Sequence, residues 1–127
     1  MSQSEKSILN ETLVEVSGLS GALVYRQNTG QGWQGKPVRV DVGDYVRVER
    51  GMKILREARP VNFGLEGAGD ITGTIGGRAV QIEMKTATGR QRQAQQVFEA
   101  AWKRCGGIYV LARSKDETIR ILRETLG

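Results

Sequence analysis

The sequence predicts an α/β fold in the order α-β-β-β-α-β-α, with a β insertion after the first strand. Two stretches, 4–17 and 91–105, repeat apolar residues at helical spacing. Between them, 69–85 alternates polar and apolar residues around a Gly-Gly pair, which is typical of two strands joined by a tight turn. The run 108–112 is fully apolar, as expected of a strand that is buried on both faces.

The first helix is predicted over 4–17, with Ser4 as its N-cap. Glu5 continues the stripe that faces inward, which consists of Leu9, Thr12 and Val16. Its carboxylate either complements the helix dipole or adds a third acid to the polar face of 69–85, and the sequence leaves both open. A strand over 22–27 follows, predicted as a neighbour of the hairpin.

The polar loop 28–32 is either an ordinary surface turn or a substrate loop where Arg26 and backbone amides meet a phosphate. The segment 36–60 is predicted to be a β elaboration, and its net charge is basic. Alternation suggests short strands at Val38, Val40 and Val42, at Tyr45 and Val46, and at Met52, Ile54 and Leu55. The elaboration serves substrate contact or self-association, or it is simply a solvated β-hairpin. We expect a single domain over 1–127.

In the hairpin, a turn of Gly76 and Gly77 alone would place Ile75 opposite Arg78 and Ile71 opposite Ile82. Alternation then separates an apolar face from a polar one. The apolar face carries Ile71, Gly73, Val80, Ile82 and Met84. The polar face carries Asp70, Thr72, Gln81, Glu83 and Lys85.

On that polar face, Asp70 would oppose Glu83 with Cβ atoms roughly 5 Å apart, an arrangement that needs a positive partner. Two convergent carboxylates suit a hard divalent cation such as Mg²⁺. The alternative is a solvated face, on which Glu83 and Lys85 form an exposed ion pair worth ~0–1 kcal/mol.

The second half of the chain continues with the helix over 91–105, whose apolar line is Ala94, Phe98, Ala101 and Cys105. Gln95 lies at its N-terminal end. Arg90 and Arg92 stand where helix amides and the helix dipole favour phosphate binding. After the strand 108–112, a capping box of Ser114 and Glu117 begins a last helix that runs to about Leu126.

Composition restricts the chemistry further. The chain has 19 Lys and Arg against 14 Asp and Glu, a net charge of +5 that favours a polyanionic partner such as nucleic acid. It has no His and one Cys, which excludes Cys/His zinc sites and Ser–His–Asp triads. No leader and no apolar run of ~20 residues stands out, so we expect a cytoplasmic protein without a membrane partner.

These features together resemble the PD-(D/E)xK nuclease superfamily, and most closely its VRR-NUC family of virus-type replication-repair nucleases, in particular small stand-alone phage-type members. The matching residues are 69–73 (GDITG), 82–85 (IEMK), 88–90 (TGR), Gln95, Phe98, 106–107 (GG), Ser4-Glu5 and 26–30 (RQNTG). Gly69 stands where the superfamily's name has Pro, before an intact Asp70.

The resemblance implies a mixed central sheet flanked by helices and a site for Mg²⁺ or Mn²⁺. Its ligands would be Asp70, Glu83 and the backbone carbonyl of Met84, with support from Glu5 directly or through water. Lys85 would orient or activate the attacking water and stabilise charge on the phosphate, and Gln95 would position the site.

The resemblance also implies a symmetric homodimer that cleaves branched DNA, such as four-way junctions or flaps, in a bacterial or phage-infected cell. DNA contacts are expected at Arg26, Asn28, Arg90 and Arg92, and we expect no nucleotide cofactor. The alternatives are a non-catalytic DNA-binding module that keeps the fold, or a structural domain whose polar hairpin face is solvated.

Overall fold

The computed structural model describes residues 3–28, 30–39, 41–47 and 49–127. The chain divides into two compact units. The core unit comprises Met1–Thr29 and Gly64–Gly127, and the insertion unit is Gly30–Phe63. In chain order the elements are α1 (Glu5–Ser17), β1 (Ala22–Arg26), β2 (Gln31–Pro37), β3 (Leu55–Asn62), β4 (Ile71–Ile75), β5 (Arg78–Met84), α2 (Gln93–Arg104), β6 (Ile108–Ala112) and α3 (Lys115–Leu126).

The core unit is built on a four-stranded sheet in the order β1-β4-β5-β6. The pairs β1–β4 and β4–β5 are antiparallel, while β5 and β6 run parallel and are connected through α2. This confirms the predicted α/β fold with a mixed central sheet flanked by helices. None of the described helices is long and apolar enough to cross a membrane.

The central hairpin forms as predicted. Gly76 and Gly77 make the whole turn, with φ of 57° and 81°. Ile75 pairs with Arg78, and the ladder runs back to Ile71 opposite Ile82. β1 is the antiparallel neighbour of this hairpin, also as predicted. Local turn chemistry therefore sets the register on which the candidate site depends.

The apolar face of the sheet forms the hydrophobic core together with α1 and α3. Its fully buried members from the hairpin are Ile71, Val80, Ile82 and Met84. The helices contribute Ile8, Leu9, Val16 and Leu122 to the same cluster. The opposite, polar face is covered at β6 by α2, where the rings of Phe98 and Tyr109 lie 6.3 Å apart.

One helix prediction is confirmed and two are wrong. Ser4 caps α1 as expected, since its hydroxyl accepts a hydrogen bond from the Ser7 N–H. Glu5, however, is exposed and does not continue the buried stripe, because it lies in the first turn, beyond the last core residue. Cys105 is also exposed, since it is the C-cap of α2 rather than part of its packed face.

The insertion unit is a two-stranded antiparallel sheet of β2 and β3. The prediction of strands at 38–46 and at 52–54 is wrong: the described residues between β2 and β3 form no strand, and Val40 lies outside them. Gln31 and Gly32, predicted as loop, belong to β2. Alternation indicates a strand only where one face is buried, and Val42 and Tyr45 are fully exposed.

Candidate active site

The polar face of the hairpin is buried, so the alternative of a solvated face is wrong. Glu83 is 1% exposed and the Lys85 side chain 12%. The segment 67–69 packs between the hairpin and the start of α2. A Cβ on Gly67 would lie 2.2 Å from the Ala94 carbonyl oxygen. The Gly69 N–H donates to Gln81 Oε1 at 2.8 Å. Close backbone contact of this kind contributes to the burial of the face.

Glu83 is the centre of this buried face. Its Oε2 accepts hydrogen bonds from the Tyr109 hydroxyl at 2.6 Å and from Gln91 Nε2 at 3.2 Å. Its Oε1 lies 3.5 Å from Lys85 Nζ and has no hydrogen-bond partner among the described residues. A carboxyl group this deeply buried is costly unless its oxygens are paired, and these donors and the lysine offset part of that cost.

Tyr109 is a functional candidate that sequence reasoning missed. Burial, and next the hydrogen bond to Glu83 and its charge, raise the pKa of the Tyr109 hydroxyl. The hydroxyl therefore keeps its proton and acts as a donor to Oε2. The only available signal was that Tyr109 carries the one polar side-chain atom in the apolar run 108–112.

A second carboxylate extends the network away from Glu83. Gln91 Nε2 also donates to Glu99 Oε1 at 3.0 Å, and Lys103 Nζ lies 2.6 Å from Glu99 Oε2. Burial by itself raises the pKa of Glu99, but the hydrogen bonds from Lys103 and Gln91 and the charge of Lys103 bring it below its usual value. Gln91 thus donates to both Glu83 and Glu99, which fixes its amide toward Glu83.

Asp70 immediately precedes β4 and lies half-buried between β1 and β5. Its Oδ2 accepts the Met84 N–H at 2.8 Å, two residues beyond Ile82 of the last ladder pair. Its backbone carbonyl accepts the Gln27 N–H, also at 2.8 Å. The carboxylate of Asp70 therefore lies beside the peptide that joins Glu83 to Met84, as the predicted register requires.

Gln95 has a clear role in the structure. It is buried, and its Oε1 accepts the Arg92 N–H at 2.7 Å, so that it closes the first turn of α2. This bond anchors the start of the helix next to Gln91. Gln95 thus supports the Glu83 network through the backbone of α2.

The remaining predicted site residues lie on the surface of the core unit: Glu5, Arg26, Asn28, Arg90 and Arg92 are all exposed. Within the described residues, no group of three or more His, Cys, Asp or Glu side chains could hold a metal ion. The structure thus brings Asp70 next to the Glu83–Met84 peptide without adding Glu5 to them as a third acid.

Comparison with known proteins adds no identification. No protein-family model matches the sequence, and no match is found among curated proteins.

Proposed function

We propose that the chain is a Mg²⁺- or Mn²⁺-dependent DNA endonuclease with a PD-(D/E)xK core of the VRR-NUC type, selective for branched DNA. The observation that carries the proposal is the buried Glu83 carboxylate. One of its oxygens, Oε1, faces Lys85 Nζ at 3.5 Å and has no hydrogen bond from the described residues. A buried acceptor left unsatisfied lowers stability, so its retention supports a ligand at that oxygen.

The donor chemistry fits a hard divalent cation. Protein donors use one oxygen of each carboxylate, Oδ2 of Asp70 and Oε2 of Glu83. The other oxygens would hold the cation, together with the Met84 carbonyl that the resemblance implies. Mg²⁺ is commonly bound by one or two carboxylates, waters and substrate phosphates, so a third acid is not required. Such a cation, when bound, supplies a Lewis acid and makes water a better nucleophile without any histidine.

The protein's own groups supply the rest of the proposed chemistry. The Lys85 ammonium, largely withdrawn from solvent, orients the attacking water and balances negative charge on the scissile phosphate. Tyr109 and Gln91 hold the Glu83 carboxylate by its Oε2 and so fix the direction of Oε1. Gln95 acts through α2, whose first turn it closes.

The surface charge supports DNA as the substrate. The insertion unit carries more basic than acidic residues, and all of its basic side chains are exposed: Lys36, Arg39, Arg47, Arg50, Lys53, Arg56 and Arg59. Its Trp33 is 70% exposed, as expected of a ring that stacks on an unpaired base or packs against a second copy. We propose a homodimer, in which two sites suit the paired strands of a junction.

The test is a cleavage assay on a four-way junction, a flap and a linear duplex with Mg²⁺ or Mn²⁺. We expect the wild-type protein to cut the branched substrates, and Glu83→Gln and Lys85→Met to abolish cutting. Glu66→Gln and Lys6→Met are the controls, because these side chains are exposed and lie outside the hydrogen-bond network of Glu83. Equal cutting by the wild type and both site variants would refute the proposal. DNA binding without cutting would favour the non-catalytic module instead.

A further inference from the structure

We propose that Gln27 supplies a further side-chain oxygen, beside Asp70 and Glu83, to the divalent cation of the candidate site. The inference rests on the metal-dependent function proposed above. Sequence reasoning assigned Gln27 no role, although it lies inside the matching stretch 26–30.

The first observation is an unsatisfied acceptor. Gln27 Oε1 is buried and has no hydrogen-bond partner among the described residues. The same is true of only two other buried side-chain atoms in that part of the chain, Glu83 Oε1 and Thr12 Oγ1. Leaving a buried oxygen without a donor destabilises a fold, so each such atom calls for an explanation.

The second observation is the place of Gln27 in the sheet. The Gln27 N–H donates to the Asp70 carbonyl at 2.8 Å, which continues the β1–β4 pairing one step past Arg26 and Ile71. Gln27 is therefore the cross-strand neighbour of Asp70 on β1. On the other side, one step past the last ladder pair of the hairpin, the cross-strand neighbour of Asp70 is Glu83.

The side chains of Gln27 and Glu83 also lie on the same face of the sheet. Side chains alternate along a strand, so Gln27 shares the face of Tyr25, which pairs with Thr72. Thr72 in turn pairs with Gln81, whose side-chain amide donates to the Thr72 hydroxyl at 2.6 Å. Gln81 and Glu83, two residues apart on β5, lie on the same polar face. Gln27 and Glu83 thus present their unsatisfied oxygens on one face, on the two strands that flank Asp70.

The chemistry of the three groups is complementary. An amide oxygen is a hard, neutral ligand of the kind that Mg²⁺ and Mn²⁺ accept alongside carboxylates. It adds a coordinating atom without adding negative charge to a site that already holds two acids. With a cation bound, both oxygens gain a coordination partner where the described residues donate no hydrogen bond.

The experiment is a calorimetric titration of Mn²⁺ into the full chain without DNA, combined with thermal melting of the metal-free protein. We expect Gln27→Leu to bind Mn²⁺ roughly 10-fold more weakly, on the scale seen when groups around a metal are removed. We expect its metal-free form to melt at the same or a higher temperature, because the unsatisfied oxygen is gone. Gln27→Glu should bind Mn²⁺ more tightly, and the exposed Gln96→Leu control should match the wild type in both measurements.

Each outcome decides between the two proposals. If the wild type binds Mn²⁺ and Gln27→Leu binds it equally well, the role of Gln27 is wrong and the nuclease proposal stands. A fall in the metal-free melting temperature of both Gln27→Leu and Gln27→Met would also overturn the inference, since Gln27 would then be a packing residue. If the wild type and Glu83→Gln both fail to bind Mn²⁺, the metal-dependent function itself is refuted.

Discussion

Removing the Tyr109 hydroxyl tests whether the buried Glu83 network is organised as described. The change Tyr109→Phe keeps the ring and its contact with Phe98 but deletes the 2.6 Å bond to Glu83 Oε2. This length is typical of a hydrogen bond from a hydroxyl to a carboxylate, which is stronger than a neutral one. After the change, Oε2 keeps only the 3.2 Å bond from Gln91.

The expected magnitude follows from burial. Glu83 is 1% exposed and Tyr109 is 6% exposed, so water does not replace the lost donor. A hydrogen bond to a charged group contributes ~1.5–3 kcal/mol, and the variant should lose about that much unfolding free energy. For a chain of this size, a loss of about 2 kcal/mol lowers the melting temperature by roughly 5–10 °C.

Alkaline pH provides a second measurement on the same variant. The pKa of Tyr109 is raised in the folded state, while the unfolded chain releases the proton near the ordinary tyrosine value of about 10. The contribution of this group is therefore complete below pH ~10 and is lost as pH rises above it, by up to ~1.4 kcal/mol per pH unit. The stability gap between the wild type and Tyr109→Phe should narrow over that range.

Urea unfolding followed by circular dichroism at several pH values provides both measurements. Tyr25→Phe is the matched control, because Tyr25 is 60% exposed and its removal should change stability by at most ~0.5 kcal/mol. A Tyr109→Phe protein as stable as the wild type, with an unchanged slope above pH 10, would refute this account of the Glu83 network.

Two further changes test the frame around the site. A Cβ at Gly73, where φ is 153°, would lie 2.0 Å from the Leu23 carbonyl oxygen, so Gly73→Ala should cost roughly 3–5 kcal/mol in urea unfolding. Gly77→Ala, in open space at φ 81°, should cost only ~1–2 kcal/mol, and equal losses would contradict the close β1–β4 approach. Arg113 Nη1 donates to both end carbonyls of the turn 86–89, so Arg113→Ala should lose ~1–3 kcal/mol and speed amide exchange in that turn. Unchanged exchange there would show that the turn is held by other contacts.

The parts of the fold predicted from sequence are those that local chemistry determines. Two glycines with positive φ make one tight turn, and from that turn the register follows residue by residue to Ile71 and Ile82. The cap at Ser4 and the apolar run 108–112 are equally local signals. The placement of Asp70 beside the Glu83–Met84 peptide follows from the same register.

The errors arise where a pattern depends on distant surroundings. The alternating valines of the insertion unit resemble a strand, but Val42 has no surface to pack against and stays exposed. For the polar hairpin face, sequence reasoning left open a solvated surface or a cation site. The face is covered rather than solvated, because the crossover from β5 to β6 brings α2 and Gln91 over Glu83. Neither result can be predicted from the spacing of residues along one strand.

The sequence by itself determined the order of the elements, the hairpin register and the pairing of Glu83 with Lys85, since all three follow from neighbours a few residues apart. Only the tertiary structure decided that Glu83 is buried, that Tyr109 donates to it, and that acceptors on Gln27 and Glu83 receive no hydrogen bond from the described residues. The physical reason is that burial and hydrogen-bond satisfaction are properties of groups brought together from separate strands and helices.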